Sequence, residues 1–249
     1  MLHLQGMDAR LQAPLARPLL TLGFRLAGFA LVQLAVALFV GTSESAHYWL
    51  LSAAVTNLAT IAWLARATAV EGRGLRAVWL ADQRQWKKDL GVLGLTLLVG
   101  GPVAFFPMQW LSLALWGDAQ MGSRLMFTAA PLWVFLGAGA VFALSHPFAE
   151  LPAYCGYAMP RLREALGSRW AAVALVAAAL SLQHIALPLL FDVRFIVWRA
   201  LMYLPFAVLS AVAIDRRPSL LPYFMGVHFL MDAQLPVMVW LVSAGKMTM

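Results

Sequence analysis

Apolar residues in this chain come in long unbroken runs, not in the alternating patterns of half-buried strands or surface helices. The runs fall at about 18–40, 47–65, 90–116, 129–150, 170–190, 195–214 and 219–243. An α-helix rises about 1.5 Å per residue, so roughly 20 apolar residues cross the hydrocarbon core of a bilayer. The pattern predicts an all-α, polytopic membrane helix bundle of about seven spans, with six and eight as the limits. Trp49, Trp63, Trp110, Trp116, Trp170 and Trp240 lie towards the ends of runs, where amphipathic rings favour the headgroup level. Prolines interrupt the third run (Pro102, Pro107), the fourth (Pro131, Pro147), the sixth (Pro205) and the seventh (Pro222, Pro236). Such breaks are tolerated where neighbouring helices or a wet cavity satisfy the freed backbone groups. The third run is long enough to hide a re-entrant piece.

Composition agrees with the runs. Of 249 residues, 62% are hydrophobic and 12% charged, against about 45–50% and about 25% in soluble domains. The net charge of +7 would suggest nucleic acid in a soluble chain. Here the basic residues gather between apolar runs, which is a signature of membrane orientation, and no nucleic-acid partner is expected. A single cysteine, Cys155, excludes an internal disulfide. Residues 1–19 carry Arg10 and Arg17 but no short apolar core with a small-residue cleavage site, so the first run is expected to be a retained helix. No internal repeat or low-complexity linker appears, and residues 1–249 read as one integral membrane domain.

The loops set the expected orientation. Arg10 and Arg17 precede the first run. Arg66, Arg73, Arg76, Arg84, Lys87 and Lys88 follow the second, Arg161, Arg163 and Arg169 the fourth, and Arg216 and Arg217 the sixth. The other side has only Arg124, Arg194 and Lys246. The bias places the N-terminus and the even loops in the cytoplasm, with the lipid bilayer as the surrounding partner. Within the second loop, Glu71 to Lys88 reads either as a short interfacial amphipathic helix with Trp79, Leu80 and Trp86 on its apolar face or as an ordinary basic loop. Small residues are dense at Gly137–Ala140 and Ala171–Ala179, which lets helices approach closely and points to the fourth and fifth spans as central.

Four ionisable residues sit inside the apolar runs: Glu150, His184, His228 and Asp232. A charge at the bilayer centre costs roughly 2.5–3.5 kcal/mol on insertion scales, so such groups face the protein interior and mark function. At helical rise, His184 lies about 21 Å along the fifth span, His228 about 13 Å and Asp232 about 19 Å along the seventh, and Glu150 about 16 Å from the cytoplasmic Arg161. These depths agree within several ångströms. His228 and Asp232, four apart, share a helix face. His146, four residues before Glu150, is expected behind the carboxylate as a supporting partner, with Pro147 and Pro152 making that spacing irregular. Arg25 is expected to snorkel to the cytoplasmic end, and Arg199, with Arg194 and Asp192, to lie near the external end and pair with an acid. His3 and His47 are expected to have no role. No phosphate-binding glycine loop, H-E-x-x-H or G-x-S-x-G occurs, which excludes P-loop, zincin and serine-hydrolase readings.

At these residues the chain resembles the CAAX-protease and bacteriocin-processing (CPBP) family of intramembrane proteases. That family's first motif is a glutamate pair, three residues, an arginine and commonly Gly-Tyr-x-x-Pro-Arg-Leu. Its counterpart here is Glu150-Leu151-Pro152-Ala153-Tyr154-Cys155-Gly156-Tyr157-Ala158-Met159-Pro160-Arg161-Leu162. The second motif ends in a histidine within an apolar helix, as in Leu180-Ser181-Leu182-Gln183-His184. The third is His-x-x-x-Asn or Asp, as in His228-Phe229-Leu230-Met231-Asp232. The match covers about residues 128–235. Leu151 and Cys155 replace the second glutamate and the arginine. Losing both members of a pair leaves no buried charge unpaired, so the expectation is that a structural ion pair was dropped and the site kept.

The resemblance implies a membrane-embedded peptidase of a bacterial cytoplasmic membrane acting on membrane-associated peptide or protein substrates. Glu150 would be the general base, His184 would orient or activate the water, and His228 and Asp232 would stabilise the oxyanion. An ionised Asp232 opposes an oxyanion but suits a metal; a protonated one donates a hydrogen bond. The set Glu150, His184, His228 and Asp232 also has the chemistry of a zinc site with room for water, so metal-free and metal-dependent mechanisms both stand open. The alternatives are a catalytically inactive immunity or chaperone partner built on the same bundle, and a proton or solute transporter; against the latter, no pair of repeated broken helices is present.

Overall fold

A computed structural model describes residues 2–80 and 84–247, with side chains described from Leu15 onward outside 81–83. His3 and Arg10 therefore lie outside the described side chains. Among the described residues the chain is helical and contains no strand. Helix α1 is Leu2–Val40, of which Leu15–Val40 is long and apolar enough to span a membrane. The other spans are α2 (Thr42–Val70), α3 (Trp86–Trp116), α4 (Val134–Leu166), α6 (Val193–Arg216) and α7 (Pro218–Ser243). A shorter apolar helix, α5 (Arg169–Ile185), lies between α4 and α6. Six spans and this seventh, shorter helix make a polytopic all-α membrane bundle. Helix α3 runs unbroken through Pro102 and Pro107, so it holds no re-entrant piece.

Burial differs sharply among the spans. In the most apolar stretch of α4, 67% of residues are buried within the protein, against 11% for α3. Lipid therefore covers most of α3, while α4 forms the axis of the bundle. Helix α4 is not uniform: π-helical turns at Val134–Ala138 and Pro152–Ala158 bracket the regular stretch Gly139–Leu151. Pro152 has no N–H to give the carbonyl of Phe148 four residues back. The indole of Trp79 donates to that carbonyl instead, at 3.1 Å. The segment after α2 is thus tied to the bundle. Among the described residues between α2 and α3, Arg76–Trp79 turns helically, and Val78, 2% exposed, packs with Leu64, Ala67, Ala153 and Tyr157. Gly156 accepts this approach because it lacks a Cβ, which would stand 2.5 Å from the Val78 carbonyl oxygen.

Helices α4 and α5 meet at a turn of two residues. Gly167 takes a left-handed conformation (φ 62°), open to glycine without strain, and the Ser168 hydroxyl caps α5 by accepting from the Ala171 N–H at 3.3 Å. This hairpin brings Gln183, near the end of α5, back alongside Glu150. At the same end of the bundle, arginines clamp three acids: Arg161 on Glu71, Arg163 and Arg169 on Asp215, and Arg217 on Asp89. The arginine–Glu71 contact, with a 3.0 Å bond from the Tyr157 hydroxyl, holds the Glu71 carboxyl below its ordinary range. Leu151 and Cys155 are both buried in an apolar cluster with Tyr154, Val176 and Phe224, where no charge is left unmatched by their presence.

Candidate functional site

Glu150 lies in the last turn of the regular stretch of α4 and is only 3% exposed. Two imidazoles face its two oxygens. His146 Nε2 is 3.1 Å from Oε2 and His228 Nε2 is 3.3 Å from Oε1. Asp232, one helical turn beyond His228 on α7, closes the group: its Oδ2 is 3.5 Å from His228 Nε2 and 3.8 Å from His146 Nε2. The two rings are 5.0 Å apart. One turn of α4 and one turn of α7 thus face each other, each presenting a histidine and a carboxylate four residues apart.

A second layer, mostly missed in the sequence, fixes this group. Gln183 Nε2 donates to Glu150 Oε2 at 2.6 Å and to the Leu180 carbonyl at 3.1 Å. Arg25, fully buried, donates from Nε to Gln183 Oε1 at 2.7 Å and from Nη1 to Asn57 Oδ1 at 2.9 Å, and its Nη2 is 3.5 Å from Glu150 Oε2. Arg25 therefore does not snorkel to the membrane edge. Its charge stays inside because a carboxylate and two amide oxygens surround it, the condition for a tolerable buried ion. Asn57 Oδ1 is also 3.2 Å from His146 Nδ1, while its Nδ2 donates to Ser145 Oγ at 3.2 Å. An amide oxygen at that position accepts a proton from Nδ1, while the guanidinium Nη2 of Arg25 stands 3.5 Å from the same nitrogen; the tautomer with its proton on Nδ1 is the one that leaves the Nε2 lone pair facing the carboxylates. A polar Asn57 within the apolar second span is the sequence signal that could have pointed to this layer.

His146 is accordingly in direct contact with Glu150, and the π-helical turn begins only at Pro152, too late to disturb the i, i+4 spacing. His184 is placed differently. It lines the same cavity as the other four residues, yet makes no hydrogen bond or ion pair to them among the described residues. Its Nδ1 contacts the Ser181 carbonyl at 3.1 Å and its ring lies 4.8 Å from that of Tyr203. Beside it, Arg199 pairs with no acid among the described residues. Its guanidinium donates to the carbonyls of His184 (3.0 Å) and Leu187 at the end of α5. His47 contacts the Ala129 carbonyl and is not among the residues that line this cavity.

The cavity has a volume of about 110 Å³, room for several waters where polar groups hold them. Its floor is His146, Glu150, His228 and Asp232. Its walls are mostly apolar, among them Trp49, Phe142, Phe206, Phe224 and Met231. The chain matches no family model, no curated protein and no solved structure.

Proposed function

We propose that this chain is an intramembrane hydrolase that cleaves membrane-associated peptide or protein substrates by activating water at the His146, Glu150, His228 and Asp232 cluster. The observation that carries the reading is the meeting of two carboxylates and two imidazoles within 3.1–3.8 Å on the floor of an apolar-walled cavity. Hydrolysis in a bilayer needs a base held close to a water, a group to stabilise the oxyanion, and walls that exclude bulk water.

The chain's own groups divide these tasks. Glu150 is fully engaged by His146, His228, Gln183 and Arg25, so it anchors the imidazoles and holds the buried charge of the site. Asp232 Oδ2 is buried and has no hydrogen-bond partner among the described residues. It is the acceptor free to take a proton from a water held between the two rings. This reassigns the base implied by the resemblance, Glu150, to Asp232. A zinc-type ion, for which these side chains have the right donors, would supply Lewis-acid polarisation of the scissile carbonyl. Met231 lines the cavity and is 44% exposed on the outside of α7, which supports substrate entry from the lipid side. The arginine-clamped end of the bundle supports a cytoplasmic N-terminus in a bacterial inner membrane.

The test is cleavage of a transmembrane peptide library by the purified chain in proteoliposomes. Glu150→Gln and Asp232→Asn are each expected to lower cleavage by about 10²–10⁴-fold with helicity and elution volume unchanged. Full activity in both would overturn the hydrolase reading and leave the immunity or chaperone partner in its place.

A further inference from the structure

We infer that the cluster is a metal centre whose protein ligands are His146 Nε2, His228 Nε2 and the Glu150 carboxylate, with Asp232 beside the remaining coordination position. The inference deepens the hydrolase proposal and rests on it for the metal's purpose, while binding itself is tested apart from cleavage. It departs from the ligand set expected from the sequence by replacing His184 with His146.

The geometry is the first ground. One ligand atom from each of His146, Glu150 and His228 lies within 4.8 Å of the others. The two imidazole nitrogens stand 3.1 and 3.3 Å from the Glu150 oxygens. Metal–nitrogen and metal–oxygen bonds of about 2.0–2.1 Å in a tetrahedron place neighbouring ligand atoms about 3.3 Å apart. The two imidazole–carboxylate contacts lie near that value, and the three ligand atoms together lie within 4.8 Å, so a bound ion would draw them slightly inward.

Electrostatics is the second ground. In the tautomer that a metal ligand requires, His146 gives its Nδ1 proton to the Asn57 oxygen 3.2 Å away and turns its Nε2 lone pair to a carboxylate oxygen 3.1 Å away. His228 Nε2 lies between two carboxylates. A proton or a metal cation between such groups relieves their repulsion. Asp232 Oδ2, buried and without a hydrogen bond, is turned to the same place.

The surrounding residues are the third ground. A metal-bound histidine commonly gives its other N–H to an oxygen acceptor, and ligating carboxylates are themselves hydrogen-bonded. Asn57 does the first for His146; Gln183 and Arg25 do the second for Glu150. Two imidazoles with one carboxylate suit zinc or another first-row transition ion, not calcium or magnesium, which prefer oxygen ligands.

The experiment uses the full chain purified in detergent, stripped with chelator, and titrated with Zn²⁺ and with Co²⁺. Binding of one ion per chain is expected, with the intense visible absorption of four- or five-coordinate Co²⁺. His146→Gln and His228→Gln are expected to weaken binding by at least about 100-fold, since even outer-layer partners are worth 10–100-fold; His184→Ala should change it by no more than a few-fold. Circular dichroism and elution volume check that each variant folds. Absence of stoichiometric binding in the parent chain, or unchanged binding in both glutamine variants, overturns the metal centre. Full peptide cleavage by the metal-free chain overturns the metal's part in hydrolysis and leaves the hydrolase standing. One bound ion with no cleavage of any peptide upholds the centre and overturns the hydrolase.

Discussion

Two sides of one cavity use the same residue types for different ends. On one side, His146 and Arg25 meet a carboxylate: Glu150 is 3.1 Å from the imidazole and 3.5 Å from the guanidinium. On the other, His184 and Arg199 meet carbonyls, methionine sulfurs and aromatic rings, among them Ser181, Leu187, Met126 and Tyr203. Both histidines line the cavity and both arginines are buried. The first side gathers carboxylates and imidazoles into one cluster. The second side finishes the end of a helix. An ionisable residue inside a membrane span is therefore not by itself a catalytic group, because backbone carbonyls at a helix end can also hold it.

The sharpest way to break this comparison is to remove each histidine in turn. His146→Ala is expected to reduce peptide cleavage by about 10²–10⁴-fold, while His184→Ala retains it within about tenfold, measured as initial rates in proteoliposomes. Equal losses would erase the distinction between the two sides. The arginines give the next largest contrast, read as unfolding free energy in detergent. Arg25→Met strands the buried Glu150 charge and is expected to cost about 3–5 kcal/mol. Arg199→Met leaves carbonyls unsatisfied but no acid unpaired, and about 1–3 kcal/mol is expected. The reverse ranking would mean that the Arg25–Glu150 pair does not hold the site together.

A smaller effect tests the second layer. Asn57→Leu removes the acceptor that holds the His146 Nδ1 proton, and a loss of about tenfold in cleavage is expected, with Asn57→Asp recovering part of it. The smallest belongs to the clamp outside the membrane. Arg161 holds the Glu71 carboxyl below its ordinary range, so its contribution is fully present above the unfolded pKa and is lost as pH falls through the lower, folded value. The pair is partly exposed, so about 0–1 kcal/mol is at stake. Glu71→Gln should flatten the acid limb of stability by that amount while leaving stability at pH 7 reduced by the same small margin.

Much of the bundle was legible because a bilayer enforces it: length and apolarity alone mark spans, as the runs that became α1, α2, α3, α4, α6 and α7 show. Glu150, His228 and Asp232 were legible for a related reason, since a polar group in hydrocarbon needs a partner. The positions of His146 and His184 were not. The sequence placed His184 in the site and His146 as its supporting partner, whereas their actual difference depends on what lies across the bundle, Asn57 and Glu150 for one, Tyr203 and a helix end for the other. Arg25 was misread because snorkelling depends only on distance to the membrane edge, whereas burial depends on acceptors contributed by α2, α4 and α5. The segment after α2 was undecided for the same reason: the Phe148 carbonyl that draws in Trp79 becomes available only through Pro152, on another helix.

The amino-acid sequence by itself determined that this is an all-α chain spanning a membrane, and that certain charges had to be hidden within it. Those outcomes follow from solvation, which acts on each segment separately. Only the tertiary structure decided which hidden groups converge: His146 with Glu150, His228 and Asp232 over a base of Arg25, Gln183 and Asn57, and His184 apart from them. Convergence depends on the relative rotation of packed helices and on where prolines shift a turn, and a difference of one helical turn moves a side chain from a shared site to a separate wall.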